Sequence, residues 1–256
     1  MKKRLGCFGI FIVVFLGFGY WAIDNVLSYS IIRPWKHAAR ETPTEAGLTA
    51  EHLDLVGDGC IKINGWLVRP KGDSVWPNTV IFCHGIGGNF GHFMKTAQKL
   101  SENGWNSLLL DGRAHGESGG DYCTFGYFEE KDLKLIVDFL EKNRPVESQK
   151  LGIWGASLGG AIALQCLEND PRLDFGIVES TFTDLPTIVS DYQKQRFLGI
   201  RVPWASQKAL KKAGEIAHFD PETVRPVEAA VHIFQPILMA HGDADDRISV
   251  EYGRRI

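Results

Sequence analysis

The stretch KLGIWGASLGGAIALQCL, residues 150–167, holds the features that decide the fold. It begins with a short apolar run, residues 151–154, which is typical of a buried strand, and continues into a helix-compatible stretch, residues 158–167. Between them stands Ser157, two places from Gly155 on one side and from Gly159 on the other. A sharp turn from a strand into a helix crowds the positions on both sides of it, so that only small residues fit there. The spacing therefore predicts a tight bend centred on Ser157.

This G-x-S-x-G pattern also predicts a chemical role for the serine. The bend would lift the Ser157 hydroxyl above the sheet, at the N-terminus of a helix whose partial positive charge favours a developing anion. A serine held in this way is the nucleophile elbow of hydrolytic enzymes. The alternative is a glycine-rich turn that contains an incidental serine.

The rest of the chain alternates between buried strands and helices. Strands are predicted at residues 79–83, 105–111, 151–154, 175–180 and 236–242, and helices at 93–103, 129–142 and 158–167. This alternation predicts an α/β fold with a doubly wound, mostly parallel sheet, whose ligands bind outside the carboxyl ends of the strands. Residues 60–70 alternate around Asn64 and Gly65, which predicts a hairpin.

Three polar loops directly follow predicted strands: HGIGGN at 84–89, DGRAHGESGG at 111–120 and HGDADDRIS at 241–249. The glycines of the first loop would let the amide of Ile86 join that of Leu158 as the two donors of an oxyanion hole. With these loops, residues 58–256 resemble the α/β-hydrolase superfamily, in its serine-aminopeptidase-like and monoglyceride-lipase-like branch.

The resemblance implies a role for several residues in these loops. It implies that His84 and Gly85 belong to the oxyanion loop and that Asp245 is the acid of a catalytic triad. Asp243, Asp246 and Glu179 are the alternatives for the acid.

The resemblance also implies a catalytic histidine, one helix and one strand beyond the acid. Residues 246–256 contain no histidine, and the last strand and helix of the fold are missing with it. His84, His115 and His241 match positions that the family fills in addition to its catalytic histidine.

Three explanations of the absent base stay open. The chain is a C-terminally truncated serine hydrolase, or a non-catalytic protein that binds an acyl ligand or a partner, or an enzyme whose histidine comes from a second chain. We expect a truncated hydrolase, weakly stable and nearly inactive in its 256-residue form.

The N-terminus is apolar and uncharged over residues 5–23, after the basic residues Lys2, Lys3 and Arg4. Nineteen residues of helix reach about 28 Å, close to the thickness of a bilayer core. Residues 1–24 are therefore predicted to be a single-pass transmembrane anchor in a lipid bilayer, with residues 25–57 as a linker and the hydrolase domain at 58–256 on the extracytoplasmic side. A cleaved signal peptide is the alternative.

Between the strands at 175–180 and 236–242, residues 181–233 are too long for a simple connection and predict a cap. Five apolar residues of the cap are candidates to line an acyl pocket: Phe197, Leu198, Ile200, Val202 and Trp204. The expected substrate is an acyl ester or a peptide. No metal or organic cofactor is expected, because the sequence has neither a phosphate loop nor a dinucleotide fingerprint. The net charge of −3 gives no reason to expect nucleic acid.

Overall fold

The computed structural model describes residues 15, 17–72, 76–196 and 202–256. Its centre is a seven-stranded sheet in the order β1-β2-β4-β3-β5-β6-β7. Strand β2 is antiparallel to β1 and β4, and the other neighbouring strands are parallel. The strands are β1 (Thr49–Val56), β2 (Lys62–Arg69), β3 (Asn78–Cys83), β4 (Asn106–Leu110), β5 (Lys150–Ala156), β6 (Leu173–Glu179) and β7 (Ile237–Ala240). The predicted α/β fold with a mostly parallel sheet is confirmed.

Helices cover both faces of the sheet because its strands alternate apolar side chains between the two faces. On β3, Val80 and Phe82 pack with α2, whereas Ile81 packs with α3 and α4. The helices are α1 (residues 17–32, with a π-helical segment Ile23–Leu27 and an α-helical end Ser28–Ile32), α2 (Met94–Glu102), α3 (Glu129–Asn143), α4 (Leu158–Asn169), α5 (Leu185–Arg196), α6 (Pro203–Ala217), α7 (Pro226–Val231) and α8 (Val250–Arg255).

The hairpin predicted at Asn64 and Gly65 is wrong, because both residues lie inside the single strand β2. Asn64 is buried and its side-chain amide donates to Asp111 Oδ2 at 2.9 Å. A Cβ atom on Gly65 would lie 2.9 Å from the Leu55 side chain. The pair therefore serves close packing, and the turn between β1 and β2 lies at residues 57–61 instead.

The stretch 25–57, expected to be a linker, contains ordered parts of the fold. It includes the C-terminal part of α1, where Ile32 is fully buried, and the whole of β1. Leu53 and Leu55 of β1 alternate with more exposed residues, so their side chains reach the core. The linker prediction was wrong because this strand sits at the edge of the sheet, where few apolar residues mark it.

The predicted membrane span, residues 5–23, lies largely in residues 1–14 and 16, outside the described residues. In the part of the chain that the structure describes, no helix has the length and apolar character needed to cross a membrane.

The region predicted as a cap holds α5, α6 and α7, between β6 and β7. Of its candidate pocket residues, Phe197, Leu198 and Ile200 lie outside the described residues. Val202 packs against Ile23 of α1, and Trp204 is exposed.

Candidate active site

The predicted bend is present between β5 and α4, with Ser157 at its apex. The backbone of Ser157 has φ 56° and ψ −116°, in the region that L-residues rarely adopt. A Cβ atom on Gly155 would lie 2.0 Å from the carbonyl oxygen of Gly159, and one on Gly159 would lie 1.8 Å from that of Cys83. Any side chain at either position would force the backbone apart, so the bend requires both glycines.

Hydrogen bonds from the next strand hold this strained conformation. The Ser157 amide donates to the Glu179 carbonyl at 2.8 Å, and the Thr181 hydroxyl donates to the Ser157 carbonyl at 2.9 Å. The Glu179 carboxylate accepts a hydrogen bond from Trp154 Nε1 at 2.7 Å. Glu179, an alternative for the catalytic acid, therefore has a structural partner in the sheet.

The loop after β3 lies against the serine. A Cβ atom on Gly85 would be 3.3 Å from the Ser157 Cβ, so glycine allows the loop to approach this closely. The Gly88 amide donates to the Gly85 carbonyl at 3.0 Å and closes a turn around Ile86. Leu158 is the first residue of α4, and its amide therefore has no acceptor within the helix.

His84 is buried behind this loop, and both of its ring nitrogens make hydrogen bonds. Nδ1 donates to the Gly85 carbonyl at 2.8 Å, while Nε2 accepts from the Gly112 amide at 3.1 Å. Burial, together with the neighbouring His115, lowers the pKa of His84 to about 3. His115 is also buried, and its Nδ1 donates to the Arg113 carbonyl at 2.9 Å. Both histidines therefore support loops and are not free to serve Ser157.

Asp245 lies in the loop after β7, where the backbone fixes its carboxylate. Oδ1 accepts from the amides of Arg247 and Ile248, both at 2.9 Å. Partial burial favours the neutral acid, but these two amides and the Ser180 hydroxyl outweigh it and hold the pKa of Asp245 below its ordinary value. Asp245 is thus a fixed carboxylate, which is the property needed to orient a partner.

His241 precedes this loop and does not fill the role of that partner. Its Nε2 donates to the Ile248 carbonyl at 2.8 Å and lies 4.0 Å from Asp245 Oδ2. Its Nδ1 faces the backbone of Gly253, where a Cβ atom would be only 2.7 Å away. Asp243 and Asp246, the other candidates for the acid, have exposed side chains.

Ser157 opens into a pocket of about 250 Å³ that combines three parts of the chain. The loops at the sheet edge contribute Ile86 and Arg247, the start of α4 contributes Leu158, and other walls come from α5 and from α1. The lining is largely apolar: Leu27, Ile31, Phe125, Phe182, Ile188 and Val189. None of the eight histidines of the sequence lines it. The structure therefore brings Ser157, Ile86 and Leu158 together, with Gly85 beside them and Asp245 in the loop that carries Arg247.

Asp111 is a residue whose role the sequence reading did not identify. Its Oδ1 accepts from the Phe90 amide at 2.8 Å, and its Oδ2 accepts from Asn64 and from the Glu117 amide. Gly116, with φ 47°, would clash with Asp111 if it had a Cβ atom, since that atom would lie 2.1 Å from the carboxyl carbon. The polar loop at 111–120 is thus a frame for the loop after β3. The sequence signal for this role was the position of Asp111, an acidic residue directly after a buried strand.

Glu129 does not line the pocket but fixes Phe125, which does. Its buried carboxylate accepts from the amides of Thr124 and Gly126, both at 2.8 Å, and from the Thr124 hydroxyl at 2.6 Å. These bonds clamp Phe125, whose φ is 58°, in the conformation in which it lines the pocket. No local pattern predicts this contact.

A second cavity, of about 1110 Å³, lies between α5 and α6. None of the predicted site residues lines it. Among the residues described here, no group of three or more His, Cys, Asp or Glu side chains could hold a metal ion.

Known proteins are similar to much of this chain in sequence. A family model described as serine aminopeptidase, S33, matches residues 77–235. The uncharacterized protein YqkD of Bacillus subtilis is 30% identical over 204 residues, which cover 76% of this chain and 63% of that protein. The α/β-hydrolase domain-containing protein WAV2 of Arabidopsis thaliana is 25% identical over 215 residues, 81% of this chain and 65% of that protein. The chain thus spans less than two thirds of the length of these two relatives.

Solved structures of hydrolases are similar to most of the chain. An esterase of Pyrococcus furiosus is 25% identical, with a TM-score of 0.70 over 87% of this chain and 81% of that one. The acylaminoacyl peptidase of Pyrococcus horikoshii, 18% identical, has a TM-score of 0.59 over 81% of this chain and 34% of that one. The second likeness concerns the fold alone.

Proposed function

Because this chain belongs to the serine aminopeptidase S33 family of α/β-hydrolases, we propose that it is a serine hydrolase that cleaves an acyl ester or an amide bond through Ser157. The resemblance seen in the sequence is confirmed at the level of family and fold. The observation that carries the proposal is the strained Ser157, which lines an apolar pocket at the N-terminus of α4. In this position the hydroxyl would attack a carbonyl carbon. Hydrogen-bond donors are then needed to stabilise the negative charge that develops on the carbonyl oxygen.

We assign those donors to the amides of Ile86 and Leu158. Both residues line the pocket beside Ser157, and Leu158 begins a helix whose dipole stabilises negative charge. Donors that are fixed before the reaction stabilise the oxyanion without reorganisation, which makes such a pair a large contributor to catalysis.

The acid of the site is Asp245, which would orient a histidine. The eight histidines of this sequence do not line the pocket, and the three at the sheet edge already bond to backbone groups. We therefore propose that efficient turnover needs a base from outside these 256 residues. Since a positioned base contributes about 10²–10⁴-fold, the chain by itself should act slowly.

An ester is the substrate that the pocket favours. The pocket has a volume of about 250 Å³, below the roughly 300–1,000 Å³ of pockets for drug-sized ligands, and its walls are mainly apolar. The esterase of Pyrococcus furiosus, 25% identical, points the same way. A small acyl group fits these properties better than a peptide does.

We also propose that the chain is a single-pass membrane protein anchored in the lipid bilayer through residues 5–23, with the hydrolase domain on the extracytoplasmic side. Phe18, Tyr20 and Trp21, at the start of α1, are 64%, 59% and 52% exposed. Aromatic rings of this kind favour the membrane–water interface.

A second function is favoured by the same absence of a histidine from the pocket: a non-catalytic protein that binds an acyl ligand. A fluorophosphonate probe separates the two, because it labels a serine only if that serine is activated. With imidazole added as the base, the hydrolase should be labelled at Ser157 and the Ser157→Ala variant should not. Added imidazole should accelerate hydrolysis of p-nitrophenyl acetate by the wild type above the rate seen with Ser157→Ala. Equal behaviour of the two proteins, with and without imidazole, would overturn the hydrolase proposal and leave the binding function.

A further inference from the structure

Helix α1 lines the pocket that contains Ser157. Leu27, Ser30 and Ile31 of this helix line it together with Ile86 of the loop after β3. Leu27 and Ile31 are four residues apart and therefore share one face of the helix. Val26, on the same helix, does not line the pocket and is 55% exposed.

The C-terminal end of α1 is fixed in the core of the hydrolase domain. Ile32 is fully buried, and its carbonyl accepts from the Cys123 amide at 2.8 Å. The guanidinium of Arg33 lies over the rings of Tyr29 and Tyr122, at 5.4 and 5.5 Å from their centroids. These contacts hold the helix end on the body of the domain.

The N-terminal half of α1 is bound to the cap. Ile23 packs with Ala205 and Ala209 of α6, and Asp24 forms an ion pair with Lys208 of the same helix. The Lys208 ammonium also lies 3.8 Å from the centroid of the Tyr20 ring. With both halves attached, α1 is a fixed wall between the body and the cap.

We propose that α1 selects the acyl group of the substrate, with Leu27 and Ile31 as the residues that bound its chain length. The proposal rests on the proposed function, in which an acyl carbonyl lies at Ser157. Leu27 and Ile31 line the pocket together with a second pair of apolar residues, Ile188 and Val189 of α5. A short acyl chain among these residues loses contact with water, whereas a charged or highly polar group finds no compensation there.

Binding of an acyl chain can be measured without turnover. The full chain in lipid nanodiscs is titrated with octanoate that carries a terminal trifluoromethyl group, followed by ¹⁹F NMR, with empty nanodiscs as the blank. The wild type should bind the probe, and so should Ser157→Ala. Leu27→Trp fills the pocket and should raise the Kd about tenfold, as expected from the loss of about two methylene contacts. Val26→Trp is the matched control and should bind like the wild type.

Leu27→Ala tests the same wall in the other direction. It enlarges the pocket and should shift the preference from octanoate towards the decanoate homologue. No binding above the blank, or a Kd and chain-length preference unchanged by both Leu27 variants, would overturn the proposal. Fluorophosphonate labelling of Ser157, with imidazole added as the base, is recorded on the same samples. Labelling without an effect of Leu27 leaves the hydrolase proposal intact, and acyl binding without labelling overturns only the hydrolase proposal.

Discussion

A Cβ atom on Gly159 would overlap the carbonyl oxygen of Cys83, at a distance of 1.8 Å. The first turn of α4 therefore packs directly on the end of β3, backbone against backbone. This contact brings the N-terminus of α4 next to the loop that follows β3. Ser157 and Ile86 line one pocket as a consequence, although 70 residues separate them along the chain.

Replacement of Gly159 by alanine should destabilise the fold strongly. The added methyl group can be accommodated only if α4 moves away from β3, and overpacking costs about 1–3 kcal/mol and occasionally more. The free energy of unfolding from urea titrations measures the cost. Gly242→Ala is the matched control, since its Cβ would have no neighbour closer than 3.9 Å. Equal stabilities of the two variants would contradict the contact described here.

Asp111→Asn should weaken both the fold and the site. The amide would turn its NH₂ group towards at least one of the three donors that the carboxylate now accepts from, including the Phe90 amide. A buried donor left unsatisfied costs about 1–3 kcal/mol. Because Phe90 directly follows the loop at 84–89, labelling of Ser157 should slow as well.

The control for Asp111 is Asp121→Asn, on the exposed part of the same loop region. Surface substitutions change stability by less than about 0.5 kcal/mol. If Asp111→Asn proved as stable as this control in urea, the carboxylate would not be the frame of the loop after β3.

Much of the site could be predicted because its signals are local. The glycines around Ser157 are required by contacts within a few residues of the bend or with the strand beside it, and the sheet follows from apolar runs of strand length. The role of Leu27 and Ile31 could not be predicted in this way. Their position depends on packing with α5 and α6, more than 150 residues further along the chain.

The false hairpin at Asn64 and Gly65 has a similar cause. The pair is a strong local turn signal. In the fold, however, Asn64 gains a buried hydrogen bond to Asp111 and Gly65 allows Leu55 to pack closely. These tertiary interactions outweigh the local preference, and no pattern within β2 reports them.

The thiols should differ sharply in reactivity. Cys60 is exposed in the turn between β1 and β2, whereas Cys83, Cys123 and Cys166 are buried. Burial raises the pKa of Cys83 to about 12 and raises those of the other two buried thiols well above their ordinary value. Since the thiolate is the reactive form, iodoacetamide at pH 8 should alkylate Cys60 alone among these four in the native protein.

Peptide mass mapping measures this pattern, and the same reaction in urea should modify all four thiols. The peptide with Cys7 is left out of the comparison because that residue lies outside the described part of the chain. Alkylation of Cys83 in the native state would mean that β3 is exposed in solution.

The buried His84 should make the fold sensitive to acid. Its pKa is about 3 in the folded protein, because burial disfavours the imidazolium and His115 lies 4.9 Å away between ring centroids. In the unfolded chain the ordinary value of 6.5 applies. Below pH 6.5 the His84 side chain therefore binds a proton in the unfolded state but not in the folded state. The free energy of unfolding falls by about 1.4 kcal/mol per pH unit until the pKa of His84 in the folded protein is reached. Above pH 7 the group contributes no pH dependence.

His84→Gln should remove this contribution. The variant loses stability at pH 7, because the hydrogen bonds to Gly85 and Gly112 are imperfectly replaced. Between pH 6 and pH 4.5, however, its stability should fall less steeply than that of the wild type, by about 1.4 kcal/mol per pH unit. Urea titrations across this range measure the slope, and His232→Gln, at an exposed position, should leave it unchanged. A wild-type slope retained in His84→Gln would mean that His84 already binds its proton in the folded state, and hence that the loop beside Ser157 admits water.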